Sequence, residues 1–539
     1  MRWVVSSQVV GGRAYATASI EESAAAAAAL NEQAGAWRAL AVSFAAAPLT
    51  LQGQRAGAAL CPAMTSGTSG VHPDAGGGVH VALPYERLRE RCEDHARVCR
   101  DVAGQAEHAA ELLIRAYSLY SEAELTTTRL VDELVQFATA AFPGHVALAA
   151  GSLAVGGAIG GSLAEGGPNG MYALEATAWA HEGLMAGFAA LVGGVGPVRG
   201  LRSTDEVNGA ATGVARVTAP LYALVQGDTL TVRQVESRTD VVREAHSVAD
   251  ALENLRRLGE ERLGKIDLDS GLEHGTIAIQ EYRAADGSSS WLVTIPGTDG
   301  KPDSPFGWPQ NVELMSDDGE RRMHAASARM VVEAMERAGI GADEPVALVG
   351  HSQGGIVAAA IASDMADRFA IDHVVTAGSP VANHPIPDRT WVTSVEVGDE
   401  LVAALDGAPN PASDTWLTVR GEVAAVGDGD VAPTVTQDGA CVPGTGAGEA
   451  RPFAWANVAD SQGDKQISHW LKYHQAAYRH ATDLGSPALD RHEEHFRDVI
   501  DGKLVATTYW QGRMVDARTL APGAPPGMTG VADAIGGGR

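Results

Sequence analysis

Positive charge is scarce in this chain: 40 Lys and Arg stand against 67 Asp and Glu in 539 residues, a formal net charge of −27 at pH 7. Such a surface repels phosphate backbones and anionic bilayers, which excludes nucleic acid as a partner held by charge and favours neutral or apolar ligands. Aromatic residues are few, at 5%. Cysteine is scarcer still: four residues cannot staple a chain this long, and no Cys/His group has zinc spacing. Cys92 and Cys99 share one predicted helix face, with Cys61 in the loop before it, so free thiols and a bridge from Cys61 are both compatible; Cys441 stands alone in a Gly-rich loop. Residues 1–15 carry Arg2 but no apolar stretch of leader length and no cleavage site, so a secretory signal peptide is not expected. Dense runs of Leu, Ile or Phe are also missing. The apolar stretches 145–164 and 171–195 are built from Ala and Gly, and the second holds His181 and Glu182, so both read as closely packed helices rather than membrane spans.

A chain of this length needs two or three units. Residues 1–140 read as a helical hairpin region, with Ala-rich helical patterns at 21–47 and 84–128 joined by a Gly/Pro/Ser/Thr-rich loop at 48–83. An Ala/Gly-rich helical segment follows at 141–200, then a connector at 201–245. From 246 to 515 the texture changes. Ser247 is a candidate N-cap for a helix to 258. The runs 276–283 and 291–295 flank Ala-Asp-Gly-Ser-Ser-Ser as a hairpin, a long helix is predicted over 319–338, and short apolar strands at 373–377 and 391–397 follow. Strand–helix alternation of this kind predicts an α/β fold, a mainly parallel sheet with helices on both faces. The Pro/Gly-rich residues 516–539 read as a flexible tail.

What the chain does contain is Val346 to Val349, a short apolar run, then Gly350-His-Ser352-Gln-Gly354, then an Ala-rich helical run free of Gly and Pro. With 63 glycines in the chain the bare Gly-x-Ser-x-Gly pattern says little. Its strand–turn–helix frame is that of a nucleophile elbow, where small neighbours let the backbone turn tightly and present the serine Oγ. A serine needs a base, and the base needs a carboxylate to fix its tautomer, in the chain order serine, acid, histidine. Asp399 closes a strand-like run and is the candidate acid, with Asp406 as substitute. His469, after a polar loop and at the start of a helical stretch, is the candidate base, with His474 as the alternative; His480, His492 and His495 read as a solvated helical face. For the oxyanion, the backbone N–H of Gln353 and the Gly297-Thr298 turn at the end of 291–295 are the expected donors.

Taken as an ordered set, Ile-Pro-Gly-Thr (295–298), Gly-His-Ser-Gln-Gly-Gly (350–355), Val-Thr-Ala-Gly-Ser-Pro (375–380) and Gly-Asp-Glu-Leu-Val-Ala-Ala-Leu-Asp-Gly (398–407) resemble the actinobacterial α/β-hydrolases related to class 3, fungal-type lipases. The resemblance implies an α/β-hydrolase fold with Thr298 at the oxyanion hole, Ser352 as nucleophile, Asp399 as acid and His469 as base, with Tyr473 following the histidine. Val402 stands where that family usually has proline, and His474 also precedes a tyrosine, Tyr478. The N-terminal region is similar, more loosely, to the helical hairpins of WXG-type substrates of type VII secretion, and Tyr120-Ser-Glu-Ala-Glu124 fits their Tyr-x-x-x-Asp/Glu signal.

These readings predict a serine carboxylic-ester hydrolase that uses no metal or cofactor and acts on a small ester or lipid-like substrate. The segment 300–315, with Phe306 and Trp308, would be a lid or an acyl-chain wall. Two other functions use the same residues or ignore them: a transacylase through the same acyl-enzyme, and an interaction protein whose helical N-terminal region binds a secretion or helical-bundle partner while the hydrolase fold is ancillary. Localisation divides the same way, between export or cell-surface display without a cleavable signal and the cytoplasm.

Overall fold

The computed structural model describes residues 2–12, 17–60, 85–118, 135–136, 139, 143–165, 169, 171–192, 206–427, 434–435, 441–442, 455–462 and 464–516. They divide into two compact units, Tyr15–Ser121, and Met1–Ala14 together with Glu122–Arg539. Cys61, the segment 61–84, the Tyr120–Glu124 motif and the tail from 517 lie outside the described residues.

Two helices make up the smaller unit, α1 (Thr17–Leu60) and α2 (Tyr85–Ser118). On α1 the buried residues include Ala27, Ala34 and Ala41, one per heptad; on α2 they are Ala96, Cys99, Ala103 and Ala110. Each helix thus offers a seam of small side chains, which lets two backbones approach closely. Arg38 pairs with Glu107 while Phe44 packs on His95 at 5.2 Å between ring centroids, so the helices run antiparallel. The loop expected from residue 48 does not start there. Helix α1 continues through Pro48 to Leu60, because a proline removes one ladder hydrogen bond without ending a helix whose following residues, here rich in Leu, Gln and Ala, favour it. By length and composition its Ala26–Gly53 stretch would reach across a bilayer. Cys92 and Cys99 are free thiols.

The larger unit is built on one sheet of ten strands, in the order β11-β1-β8-β7-β6-β5-β4-β3-β12-β2. These are β1 (Arg2–Gly11), β2 (Thr229–Val235), β3 (Thr276–Arg283), β4 (Ser289–Ile295), β5 (Pro345–His351), β6 (Ala370–Ala377), β7 (Trp391–Val397), β8 (Trp416–Val426), β11 (Ala456–Gln462) and β12 (Lys503–Val515); β9 (Thr434–Val435) and β10 (Cys441–Val442) pair separately. Strands β4 to β8 are parallel and form the centre, and every other pairing is antiparallel. This is the α/β-hydrolase fold, its parallel sheet extended on both sides. The expectation that residues 1–140 are a helical region fails at the start: β1, rich in valine and alternately buried, inserts between β8 and β11, with Val5 opposite Val423 and Val9 opposite Val419.

The helices of this unit are α3 (Pro143–Glu165), α4 (Met171–Thr177), α5 (His181–Val192), α6 (Glu206–Gln226), α7 (Val248–Glu261), α8 (Trp308–Leu314), α9 (Gly319–His324), α10 (Ala326–Ala338), α11 (Gln353–Asp364), α12 (Leu471–Asp483) and α13 (Pro487–Val499). Residues 201–245, read as a connector, therefore contribute α6 and β2. Helices α7, α12 and α13 pack on one side of the sheet and α8 to α11 on the other. Ser247 caps α7 by accepting from Asp250 N–H at 3.0 Å. The long helix expected over 319–338 is broken at Ala325, whose ψ of 130° is extended, and the Gln310 side chain caps the restart by accepting from Ala326 N–H at 2.7 Å. Ile295, Val346, Leu348, Val374, Met330 and Phe306 are among the fully buried side chains that fill the core. Helix α11 is buried continuously from Gln353 to Ala362, which suits its many small side chains: its Ala and Gly residues let it lie close to the parallel strands, with Ile356, Val357 and Ile361 filling the core between.

Candidate active site

Strand β5 ends at His351 and α11 begins at Gln353, so Ser352 is the single residue of the turn, at φ 53° and ψ −123°. A non-glycine residue in this region stores about 1–3 kcal/mol, held here by its surroundings. Its N–H donates to Ala377 O at 2.9 Å. A Cβ at Gly350 would overlap the backbone of Gly354, one at Gly354 the carbonyl of Ile295, and one at Gly355 the Ser379 hydroxyl, so three glycines are needed for the turn to pack.

The Gly297-Thr298 turn lies directly over this elbow: a Cβ at Gly297 would stand 2.9 Å from Ser352 Cβ and from His351 O. A buried arginine fixes the turn from behind. Arg262 donates to the Gly297 carbonyl and reaches Asp299 Oδ2 at 3.2 Å, while Asp299 also accepts from Gly275 N–H at 2.9 Å and Ser304 Oγ at 2.7 Å. Burial, partly offset by Asp299, lowers Arg262 to about 10, which keeps it cationic at neutral pH. Thr298 Oγ1 accepts from Asn311 Nδ2 at 3.3 Å. The Gln353 side chain donates to Gly307 O at 2.9 Å; its backbone N–H, the first of α11, has no partner in the helix ladder and is available to a ligand.

Ser352, Thr298 and His469 line one cavity of about 270 Å³, together with Leu263, Trp308 and Trp470. His469 is half-buried, and its Nδ1 meets Glu400 Oε1. The carboxylate on the histidine is thus Glu400, not Asp399. The expected acid lies one residue away, where Asp399 Oδ2 receives Lys465 Nζ at 2.8 Å in a buried ion pair. The reason is geometric: strand alternation ends at Val397, and in the turn that follows, the two adjacent acids diverge to different partners. Asp406 is also elsewhere, accepting from Ala382 N–H at 2.8 Å with its carboxyl pushed well above the usual range by burial.

His474 does not line the cavity. It is fully buried, with Nε2 on Glu400 Oε2 at 2.8 Å and Nδ1 3.3 Å from Trp470 O. Burial alone would raise the Glu400 pKa; His469 and His474 together reverse this and hold the carboxyl well below the ordinary range. His351 completes the group, its Nε2 2.9 Å from His469 O and its ring 4.6 Å from that of His469. Burial, with His469 and His474 nearby, keeps His351 neutral, so it donates to the carbonyl. Gly378, at φ 55°, leaves the space that Glu400 occupies; a Cβ there would run into Oε1.

The reading of His480, His492 and His495 as a solvated face does not hold. His480 Nδ1 accepts from Ser7 N–H of β1 at 2.8 Å, and His492 is fully buried against Thr393. Phe306 belongs to the core while Trp308 lines the cavity, which divides the expected lid segment in two. Sequence reasoning missed Glu400, Lys465 and Arg262. The consecutive acids Asp399 and Glu400 were a visible signal for the first; the other two had none.

Residues 319–401, which carry the elbow and both acids, match the family model described as PGAP1-like alpha/beta domain. No curated protein and no solved structure matches the chain. The matched family is of α/β-hydrolase type, so fold and family agree on a hydrolase-like unit.

Proposed function

We propose that the protein is a serine hydrolase of carboxylic esters. One observation carries this reading: Ser352 sits in the strained elbow conformation on the same cavity wall as His469, whose far nitrogen is held by the buried carboxylate Glu400. His469 takes the Ser352 proton as Oγ attacks the ester carbonyl, Glu400 fixes the tautomer and stabilises the imidazolium, and the N–H groups of Gln353 and Thr298 receive the oxyanion. The protonated His469 then gives its proton to the leaving alcohol, and water, activated by the same base, releases the acid from the acyl-enzyme. A cavity of about 270 Å³ suits a short acyl group, since sites for larger ligands run to ~300–1,000 Å³.

Labelling with a fluorophosphonate followed by peptide mapping tests the reading, with Ser352→Ala as control. Modification confined to Ser352, and faster turnover of p-nitrophenyl butyrate than of the palmitate, are the expected results. A folded protein that neither labels at Ser352 nor cleaves the butyrate would refute it.

A further inference from the structure

Glu400 has two histidines where the proposed reaction uses one. Its carboxylate is fully buried, and each oxygen has its own imidazole, His469 on Oε1 and His474 on Oε2. The groups facing it are His469 and His474 from the α12 end, His351 from β5 and Glu396 from β7, with Gly378 closing the space from the end of β6. His474 is locked in turn: it has no exposure, it follows the first turn of α12, and its Nδ1 faces the Trp470 carbonyl.

We propose that His474 is a positioning residue that fixes the Glu400 carboxylate for His469. This rests on the assignment of Ser352 and His469 as the reacting pair. With Nε2–H bound to Oε2, the carboxylate cannot rotate away from His469, and its charge is kept. Without that donor, Oε2 would be buried and unpaired, and the carboxyl would escape the cost by taking a proton. A neutral Glu400 no longer stabilises the imidazolium formed when Ser352 attacks. The effect therefore falls on kcat, and it diminishes as rising pH removes the proton again.

Steady-state hydrolysis of p-nitrophenyl butyrate across pH tests this with His474→Leu, His474→Gln and the Ser352→Ala control. His474→Leu should lose about 10-fold or more in kcat near neutral pH with KM changed less than about twofold, and its acid limb should move to higher pH. His474→Gln places an amide donor near the Nε2 position and should recover most of the loss. A folded Leu variant within about twofold of wild type at every pH, or one reduced equally at every pH, overturns the proposal. Should the Leu variant not fold, Gln against Asn decides: Asn is too short to reach Oε2, so Gln should exceed it clearly in kcat, and equal activity overturns the proposal. Activity retained by Ser352→Ala would instead remove the underlying reading, a different outcome from failure at His474.

Discussion

The larger unit contains two groups of three histidines, and one of them is gathered around a buried acid. In the first, His351, His469 and His474 gather around Glu400, and His351 and His469 line the cavity. In the second, His492 and His495 of α13 meet His373 of β6: His373 bonds Thr393 and His495, His492 bonds Thr393, each at 3.0 Å, and Trp391 stacks on His495. Burial lowers the pKa of all three there; the neighbouring rings lower His373 further and Arg491 and His495 lower His492, while Asp498 partly offsets the lowering at His495. A buried carboxylate makes a charged imidazole affordable and so permits proton transfer. A hydroxyl in the same place leaves the rings neutral, as packing elements. On the proposed mechanism, what separates the two groups is the side chain at the centre, Glu400 against Thr393.

The largest effect should come from erasing that difference. Glu400→Gln and His469→Ala should each cost about 10³-fold or more in kcat/KM for a short ester, while Asp399→Asn, which touches Lys465 instead, should cost far less. Comparable losses at Glu400 and Asp399 in folded proteins would reverse the assignment. Next, Gly378→Ala forces a side chain at positive φ into Glu400 and should lower stability by about 1–3 kcal/mol along with activity, read from denaturant midpoints and turnover. Thr393→Val leaves two imidazole nitrogens without their hydroxyl and should cost about 1–3 kcal/mol in stability with turnover intact. Most gradual is the pH response. Because His373 and His492 of the second cluster bind protons less readily folded than unfolded, their stabilising effect is complete above about pH 6.5 and is lost as pH falls, by up to ~1.4 kcal/mol per pH unit for each of the two. The burial-lowered pKa of His492, about 3, places the end of its window well below pH 5. The Glu400 contribution has the opposite origin, a lowered carboxyl, and is lost only below about pH 4.5. His492→Asn, which reaches Thr393 from the Nδ1 position without titrating, should flatten the decline in urea midpoint between pH 7 and pH 5.

The elbow at Ser352 was legible because its sequence signals lie within ten residues: a β-branched strand, the glycines and an Ala-rich helix. The Gly297-Thr298 turn was legible for the same reason. The carboxylate that meets His469 was legible only to within one residue, since which of Asp399 and Glu400 faces the histidine depends on the backbone of a turn after the strand's alternation has ended. Strand β1 has the right composition, but its partners Leu417–Val426 are far off in sequence, and no local pattern announces a pairing over that distance. The charges on α12 and α13 misled for a related reason: a histidine reads as polar, yet His480 and His492 are buried because each finds one hydrogen-bond partner on a distant strand.

That distance has a consequence in time. Strand β1 emerges from the ribosome roughly four hundred residues before β8, which at ~5–20 residues per second leaves Trp3, Val4, Val5 and Val9 without their sheet partners for about 20–80 s. During that wait the hairpin of α1 and α2 has all its contacts at hand and is able to form, while an apolar strand stays available to any open sheet edge it meets. The yield of folded protein is thus expected to depend on how well β1 is shielded during synthesis. The parallel strands β4 to β8 need each only wait for the next.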